Sequence, residues 1–250
     1  MDLGIDGKVA LVIGASRGLG RGIAAALARE GARIAIAGRS AESLERAGEQ
    51  IDIDAKSFVA DTGDLERMAA LPGEVAESLG PVEILVTNTG GPPPGGTLDF
   101  DVGQWEAAYR SLVLAPLTLI TAALPAMRER GWGRIVNVGS TSTLEPIPGL
   151  VLSNAHRMAA VGLLKTLAGE IAADGVTVNT VATGMFATER LADTRGSLDA
   201  AEQYAAGAVP AGRLGLPDEY GDLVAFLASE RAAYLTGTVI PLDGGLLKGA

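Results

Sequence analysis

Two groups of residues in this chain have the types and spacing to do chemistry. The first is Gly14-Ala15-Ser16-Arg17-Gly18-Leu19-Gly20. Glycines spaced this way let the backbone turn tightly and approach a ligand, and a helix starting there offers free N–H groups and a positive dipole end. That combination binds anions, a dinucleotide pyrophosphate above all. The second group pairs Arg17 of that loop with Arg39, two guanidiniums that can hold a phosphate through charge-assisted bonds.

The surrounding elements are suited to positioning both groups. An apolar run, Val9–Ile13, precedes the glycine loop and a helical pattern over 18–30 follows it. Further strands are predicted at Arg33–Ala37, Lys56–Val59, Glu83–Val86, Arg134–Val138, Thr177–Val181 and Thr238–Pro241. Helical patterns lie near 41–49, 64–79, 101–130, 153–174 and 217–229. Strict β-α alternation implies an α/β fold, a Rossmann-like doubly wound parallel sheet of about seven strands with helices on both faces. No charge run or composition shift marks a second domain, so residues 1–250 read as one nucleotide-binding domain.

Ligands in such sheets sit at the carboxyl ends of the strands. Gly38-Arg39-Ser40 follows the second strand, and no acid lies between Ile34 and Ser40. An acid there would hold the ribose hydroxyls of NAD, whereas a 2′-phosphate needs a cation. Arg39, helped by Arg17, can pair with that phosphate, so NADP(H) is expected over NAD(H). The plain alternative is two solvated surface arginines.

Composition closes off other functions. The chain has 250 residues, 48% of them hydrophobic, enough for a large core. It contains no cysteine, which excludes disulfides and thiolate chemistry, and its one histidine argues against a metal centre. A formal charge of −10 argues against nucleic acid and anionic membranes as partners. Leu112–Met127 is apolar, but its 16 residues include Pro116 and Pro125. A membrane span needs about 20 residues, so this stretch reads as a buried helix at a subunit contact. With no signal-peptide pattern at the start, the expected location is the cytoplasm.

Several segments together resemble the short-chain dehydrogenase/reductase family in its short single-domain form, over essentially the whole chain. The family's T-G-x-x-x-G-x-G loop appears as Ile13 to Gly20, with isoleucine for threonine. Its acidic adenine contact matches Asp61-Thr62, and its N-N-A-G turn appears as Thr87-Asn88-Thr89-Gly90. Gly133 to Ser140 matches the fifth strand and its serine, and Thr183-Gly184 through Thr188 matches P-G-x-x-x-T. The tail from Tyr234 to Gly245 is also family-like. The resemblance implies that Gly14, Ser16, Arg17, Gly18, Leu19, Gly20, Arg39, Ser40, Asp61, Thr62, Asn88, Thr89, Gly90, Arg157, Gly184 and Thr188 bind the cofactor, with no metal. It also implies that the helices around 112–127 and 155–173 pair across a subunit contact, giving a dimer or tetramer.

The catalytic set departs from the family pattern of Asn, Ser and Y-x-x-x-K. By alignment with the family, the tyrosine position is Ser153, the lysine position Arg157 and the asparagine position Leu112; only Ser140 matches. Serine is a far weaker acid than tyrosine, whose reference pKa is near 10, and arginine cannot pass on a proton as lysine can. His156 could supply a proton or could be a polar residue at a helix or subunit contact. Tyr109, Tyr204, Tyr220 and Tyr234 all lie away from the tyrosine position.

Three functions stay open. One is an NADP(H)-dependent oxidoreductase acting on a small carbonyl or alcohol with a modified Ser-Ser-Arg site. Another is a catalytically impaired cofactor-binding protein, a sensor or assembly subunit. The last is a non-redox lyase or isomerase. Residues 90–96, Gly-Gly-Pro-Pro-Pro-Gly-Gly, read either as a stiff pocket wall or as a rigid surface loop. Met185–Val209 is expected to form a substrate lid, where Arg190 or Arg195 could meet an anion or be solvated. The basic positions with which related reductases meet acyl carrier protein fall on Gly131 and Asp174, which disfavours that partner.

Overall fold

The structure is a computed structural model describing residues 1–51 and 55–249. Seven parallel strands run in the order β3-β2-β1-β4-β5-β6-β7. They are β1 Val9–Ile13, β2 Arg33–Gly38, β3 Lys56–Val59, β4 Ile84–Thr87, β5 Gly133–Val138, β6 Val176–Thr183 and β7 Val239–Leu242. The short apolar runs become strands because both faces of a parallel sheet are covered, so neither face tolerates polar residues. The order reverses between β1 and β4, which pair Val12 with Val86. In open α/β sheets ligands bind at such a switch point.

Alternate residues of each strand enter different cores, as the two-residue period demands. Ala10, Val12, Ile34, Ile36, Ile84 and Val86 face one layer, with α1 (Gly18–Arg29), α2 (Ala41–Ile51) and α9 (Pro217–Leu227). Val9, Leu11, Ile13, Ala35 and Leu85 face the other, with α3 (Leu65–Leu79), α5 (Ala115–Arg130) and α6 (Val151–Ile171). Each fully buried leucine or isoleucine contributes about 1.5–3 kcal/mol.

The helix predicted over 101–130 is not one regular helix. It forms α4 (Val102–Tyr109), a single widened turn at Arg110–Leu114 with π-type bonding, and α5. Pro116 has no N–H to give the carbonyl of Leu112 four residues earlier, and a widened turn absorbs that defect. The stretch Val102–Arg130 is long and apolar enough to cross a membrane by length and composition alone. Its Leu119, Ile120, Ala123 and Met127 are instead buried against the sheet. The segment expected to be a lid contains α7 (Glu189–Arg195) and α8 (Leu198–Ala208), started by side-chain caps from Thr188 and Ser197. Ala201, Ala205, Val209 and Leu214 give it a small core of its own.

Candidate active site

The glycine loop leaves the end of β1 with Gly14 at φ +64° and Gly18 at φ +53°. A Cβ on Gly14 would lie 2.6 Å from the carbonyl oxygen of Asn88, and the Asn88 amide donates back to the Gly14 carbonyl at 3.2 Å. A Cβ on Gly20 would overlap that same Gly14 carbonyl. No side chain caps α1, and its first turn has no acid. An uncapped helix end in a glycine cradle that a Cβ would fill fits a pyrophosphate.

Apart from Arg157, the remaining predicted cofactor positions lie in the loop, just after β2, β3, β4 or β6, or at the start of α7. A Cβ on Gly38, at the end of β2, would lie 3.6 Å from the Ser16 hydroxyl. Arg39 and Ser40 follow Gly38 and are exposed, and no acid forms a salt bridge with Arg39 among the described residues. Arg17 is partly engaged by Glu189, with Nε 3.8 Å from a carboxylate oxygen. Asp61 accepts from the N–H of Gly63 at 2.8 Å, shaping the turn that presents it and Thr62 after β3. Thr89 is buried and Gly90 exposed after β4. Gly184 lies against Asp243, where a Cβ would stand 2.5 Å from the Asp243 Cα. Thr188 touches Gly18 from the lid side.

Of the three candidate catalytic residues, Arg157 and Ser140 both lie at the carboxyl end of β5. Arg157 reaches from α6 to donate Nη1 to the Val138 carbonyl at 2.8 Å, two residues before Ser140. Ser140 is held by its neighbours: its Oγ accepts from the N–H of Ser142 at 3.1 Å, and its carbonyl accepts from Thr143 at 2.8 Å. Ser153 is buried on the same helix as Arg157. Burial lowers the Arg157 guanidinium to about 10, while Tyr220 opposes the shift and Arg190 adds to it. Arg157 therefore keeps its charge at neutral pH.

Two residues near this site were not legible as such in the sequence. Tyr220, on α9, is fully buried with its hydroxyl 2.9 Å from Thr183 Oγ1 at the end of β6. Burial pushes its phenol well above the usual tyrosine range. Asn154, beside Ser153, makes two bonds to one residue: Oδ1 accepts from the Ile147 N–H at 3.2 Å and Nδ2 donates to its carbonyl at 2.9 Å. It pins the segment between Ser140 and α6. An S-N dipeptide at a helix start was the only available signal.

The structure also separates alternatives. His156 puts Nδ1 2.7 Å from the Leu152 carbonyl and packs its ring 5.4 Å from Trp105 and 6.1 Å from Tyr109. Those contacts are to its own helix and α4, as a helix-contact residue requires. Leu112 is buried in an apolar cluster with Val113 and Ala160. The proline loop is exposed at Gly91, Pro93 and Pro94 and is tethered at two points. Gly95 donates to the Gly149 carbonyl at 2.7 Å, and Pro92 accepts from Arg190 at 2.9 Å. Arg195 stacks 3.8 Å from the Tyr204 ring within the lid.

A doubly wound parallel sheet with a glycine cradle at its switch point defines a Rossmann-like α/β protein. A family model described as enoyl-(acyl carrier protein) reductase matches residues 14–247. The chain is 36% identical to nodulation protein G of Azospirillum brasilense, covering 96% of this chain and 98% of that one. It is 34% identical to 3-oxoacyl-[acyl-carrier-protein] reductase FabG of Vibrio cholerae, covering 98% and 99%. Among solved structures it resembles L-sorbose reductase from Gluconobacter frateurii complexed with NADPH and L-sorbose. That match has a TM-score of 0.94, 30% identity and coverage of 100% of both chains. YwfH, an NADPH-dependent reductase involved in bacilysin biosynthesis, matches with a TM-score of 0.91 and 27% identity over 97% and 99%. This chain belongs to the short-chain dehydrogenase/reductase family.

Proposed function

We propose that this protein is an NADP(H)-dependent oxidoreductase acting on a small carbonyl or alcohol, with Ser140, Ser153 and Arg157 as its modified catalytic set. The observation that carries this reading is the Arg157 guanidinium fixed at the end of β5 beside Ser140. When bound, the cofactor supplies or accepts a hydride. The glycine loop and the uncapped end of α1 bind its pyrophosphate, and Arg39 and Arg17 take the 2′-phosphate. Arg157 orients the nicotinamide ribose with the guanidinium donors not used on Val138. Ser140 donates a hydrogen bond to the substrate oxygen, and Ser153 stands where the family places its acid. No strong acid occupies that position, so a proton comes from water or from the substrate, at a cost in rate. An NADPH-dependent reductase and a reductase complexed with NADPH among the structural relatives support the cofactor assignment.

Turnover of a panel of small ketones and diketones with NADPH tests the reading. Ser140→Ala is expected to lower kcat/KM by about 10²-fold or more, because one donor to the developing oxyanion is worth that much. NADPH binding in the same variant should stay within about twofold of the parent. Binding of NADPH without turnover of any compound would favour the second reading, a cofactor-binding protein with little catalysis. Ser153 and Arg157, neither of them a working acid, are the observation behind that alternative.

Cofactor choice gives a second expected outcome. NADPH should bind more tightly than NADH, and Arg39→Asp should reverse the order. Charge-assisted contacts of about 1.5–3 kcal/mol each correspond to a 10- to 100-fold change in affinity. Fluorescence titration with both nucleotides checks it; equal affinities in the parent would exclude a phosphate site at Arg39.

A free small molecule is the proposed substrate, although several relatives are acyl-carrier-protein reductases by name. Gly131 has no side chain to offer an acidic partner, and Asp174 already neutralises Arg128 at 2.7 Å. The chain is proposed to assemble as a dimer or tetramer through the α4–α5 and α6 faces, where Val102, Tyr109 and Met158 are exposed. Light scattering at micromolar concentration should return at least twice the 25.4 kDa chain mass.

A further inference from the structure

The lid carries a cation whose seat is specific and whose charge meets no carboxylate among the described residues. Arg190, on α7, lies across the proline loop and donates Nη2 to the Pro92 carbonyl at 2.9 Å. Gly91 makes room for it: a Cβ there would stand 2.7 Å from the same nitrogen. One bond to a carbonyl uses one of five guanidinium donors and none of its charge. Among the described residues, no carboxylate forms a salt bridge with Arg190 or Arg157. Their neighbours on the lid are accounted for. Glu189 turns to Arg17 on the glycine-loop side, and Arg195 is stacked on Tyr204.

Thr188 and Glu189 therefore face the cofactor side of the cleft, while Arg190 faces the proline loop. Its charge adds to the lowering of the buried Arg157 guanidinium. A seated guanidinium with four donors unused and no carboxylate on it among the described residues favours an anion beside it. Arginine's planar fork suits a carboxylate.

The geometry points to Arg190 as the residue that recognises a carboxylate on the substrate, so that the preferred substrates are small oxo acids or hydroxy acids rather than neutral ketones. This rests on the oxidoreductase reading above. It makes the lid a specificity device: the carboxylate joins α7 to the proline loop, on which Arg190 is already seated.

The test uses the protein saturated with NADPH and two matched pairs, 2-oxopentanoate and 4-oxopentanoate against their methyl esters. In the parent, kcat/KM for at least one acid should exceed that of its ester by about 10- to 100-fold. Arg190→Gln should collapse that ratio at least about tenfold, with Arg190→Lys restoring part of it. Arg195→Gln, with its partner inside the lid, should keep the parent ratio. The inference is overturned if the parent does not favour the acids, or if Arg190→Gln leaves the ratio intact. It is also overturned if that variant weakens NADPH binding instead, which would assign Arg190 to the cofactor phosphates. If NADPH binds but nothing turns over, the oxidoreductase reading fails separately. Calorimetry of pentanoate against pentanamide on the NADP-loaded protein then decides the carboxylate site. Tighter pentanoate binding, lost in Arg190→Gln, supports it, and equal binding sinks it.

Discussion

Gly20→Ala is expected to abolish NADPH binding and to destabilise the fold. The new Cβ would overlap the Gly14 carbonyl oxygen and stand 2.7 Å from its carbon and 2.8 Å from the Asn88 amide nitrogen. Neither neighbour can yield cheaply. Gly14 is fixed by the end of β1 and by its left-handed φ of +64°, and Asn88 is bonded to it. Overpacking against backbone should reach or exceed the upper end of the roughly 1–3 kcal/mol typical of such changes. Alanine's better helix propensity returns at most about 1 kcal/mol. Prying α1 away from β1 also moves the N–H groups that receive the pyrophosphate. Gly48→Ala in α2 is the matched control, since a Cβ there meets nothing within 4 Å. It should be neutral or stabilising by up to about 1 kcal/mol. Thermal unfolding and NADPH titration of both variants check the pair. A Gly20→Ala protein with parental melting and parental affinity would show that the glycine loop does not bind the cofactor.

This loop was legible in the sequence because all its information is local: an apolar run, glycines at fixed spacing, a helix pattern. The strands were legible for the same reason, and the observed bounds differ from the predicted ones by at most two residues. Features that depend on tertiary contact were not. The lid helices pack through Ala201 and Ala205, side chains too small to mark an apolar face, and only the caps at Thr188 and Ser197 signalled them. Pro116 was visible, but 101–130 was read as one helical pattern, without the widened turn that the proline causes. Tyr220 reaches Thr183 because α9 packs beside α1, a pairing distant in sequence. Arg190 looked no different from Arg195 until their partners were known.

The proposed catalytic set departs from the pattern that the family resemblance implies, and restoring that pattern should reveal what was lost. Ser153→Tyr with Arg157→Lys is expected to raise carbonyl reduction more than the two single changes combined. A positioned general acid contributes about 10²–10⁴-fold, or roughly 3–5 kcal/mol of barrier at 1.36 kcal/mol per factor of ten. Tyrosine alone would not deliver it. Arg157 stays charged at a value near 10 and cannot pass a proton through its guanidinium. Its bond to Val138 also holds it on the β5 side of the site. Lysine alone would have no phenol to activate. The two groups act as a unit, so their effects are non-additive. Tyr220 cannot already fill the role, because burial raises its phenol and its hydroxyl is committed to Thr183. Leu112, buried where the family places asparagine, caps the gain below full family activity. The measurement is kcat/KM for the parent, both single variants and the double variant on one ketone panel at fixed NADPH. A double variant no faster than the better single would mean that the proton arrives by a route independent of position 153. The parent's own acid would then have to be sought in solvent or in the substrate's own ionisable groups.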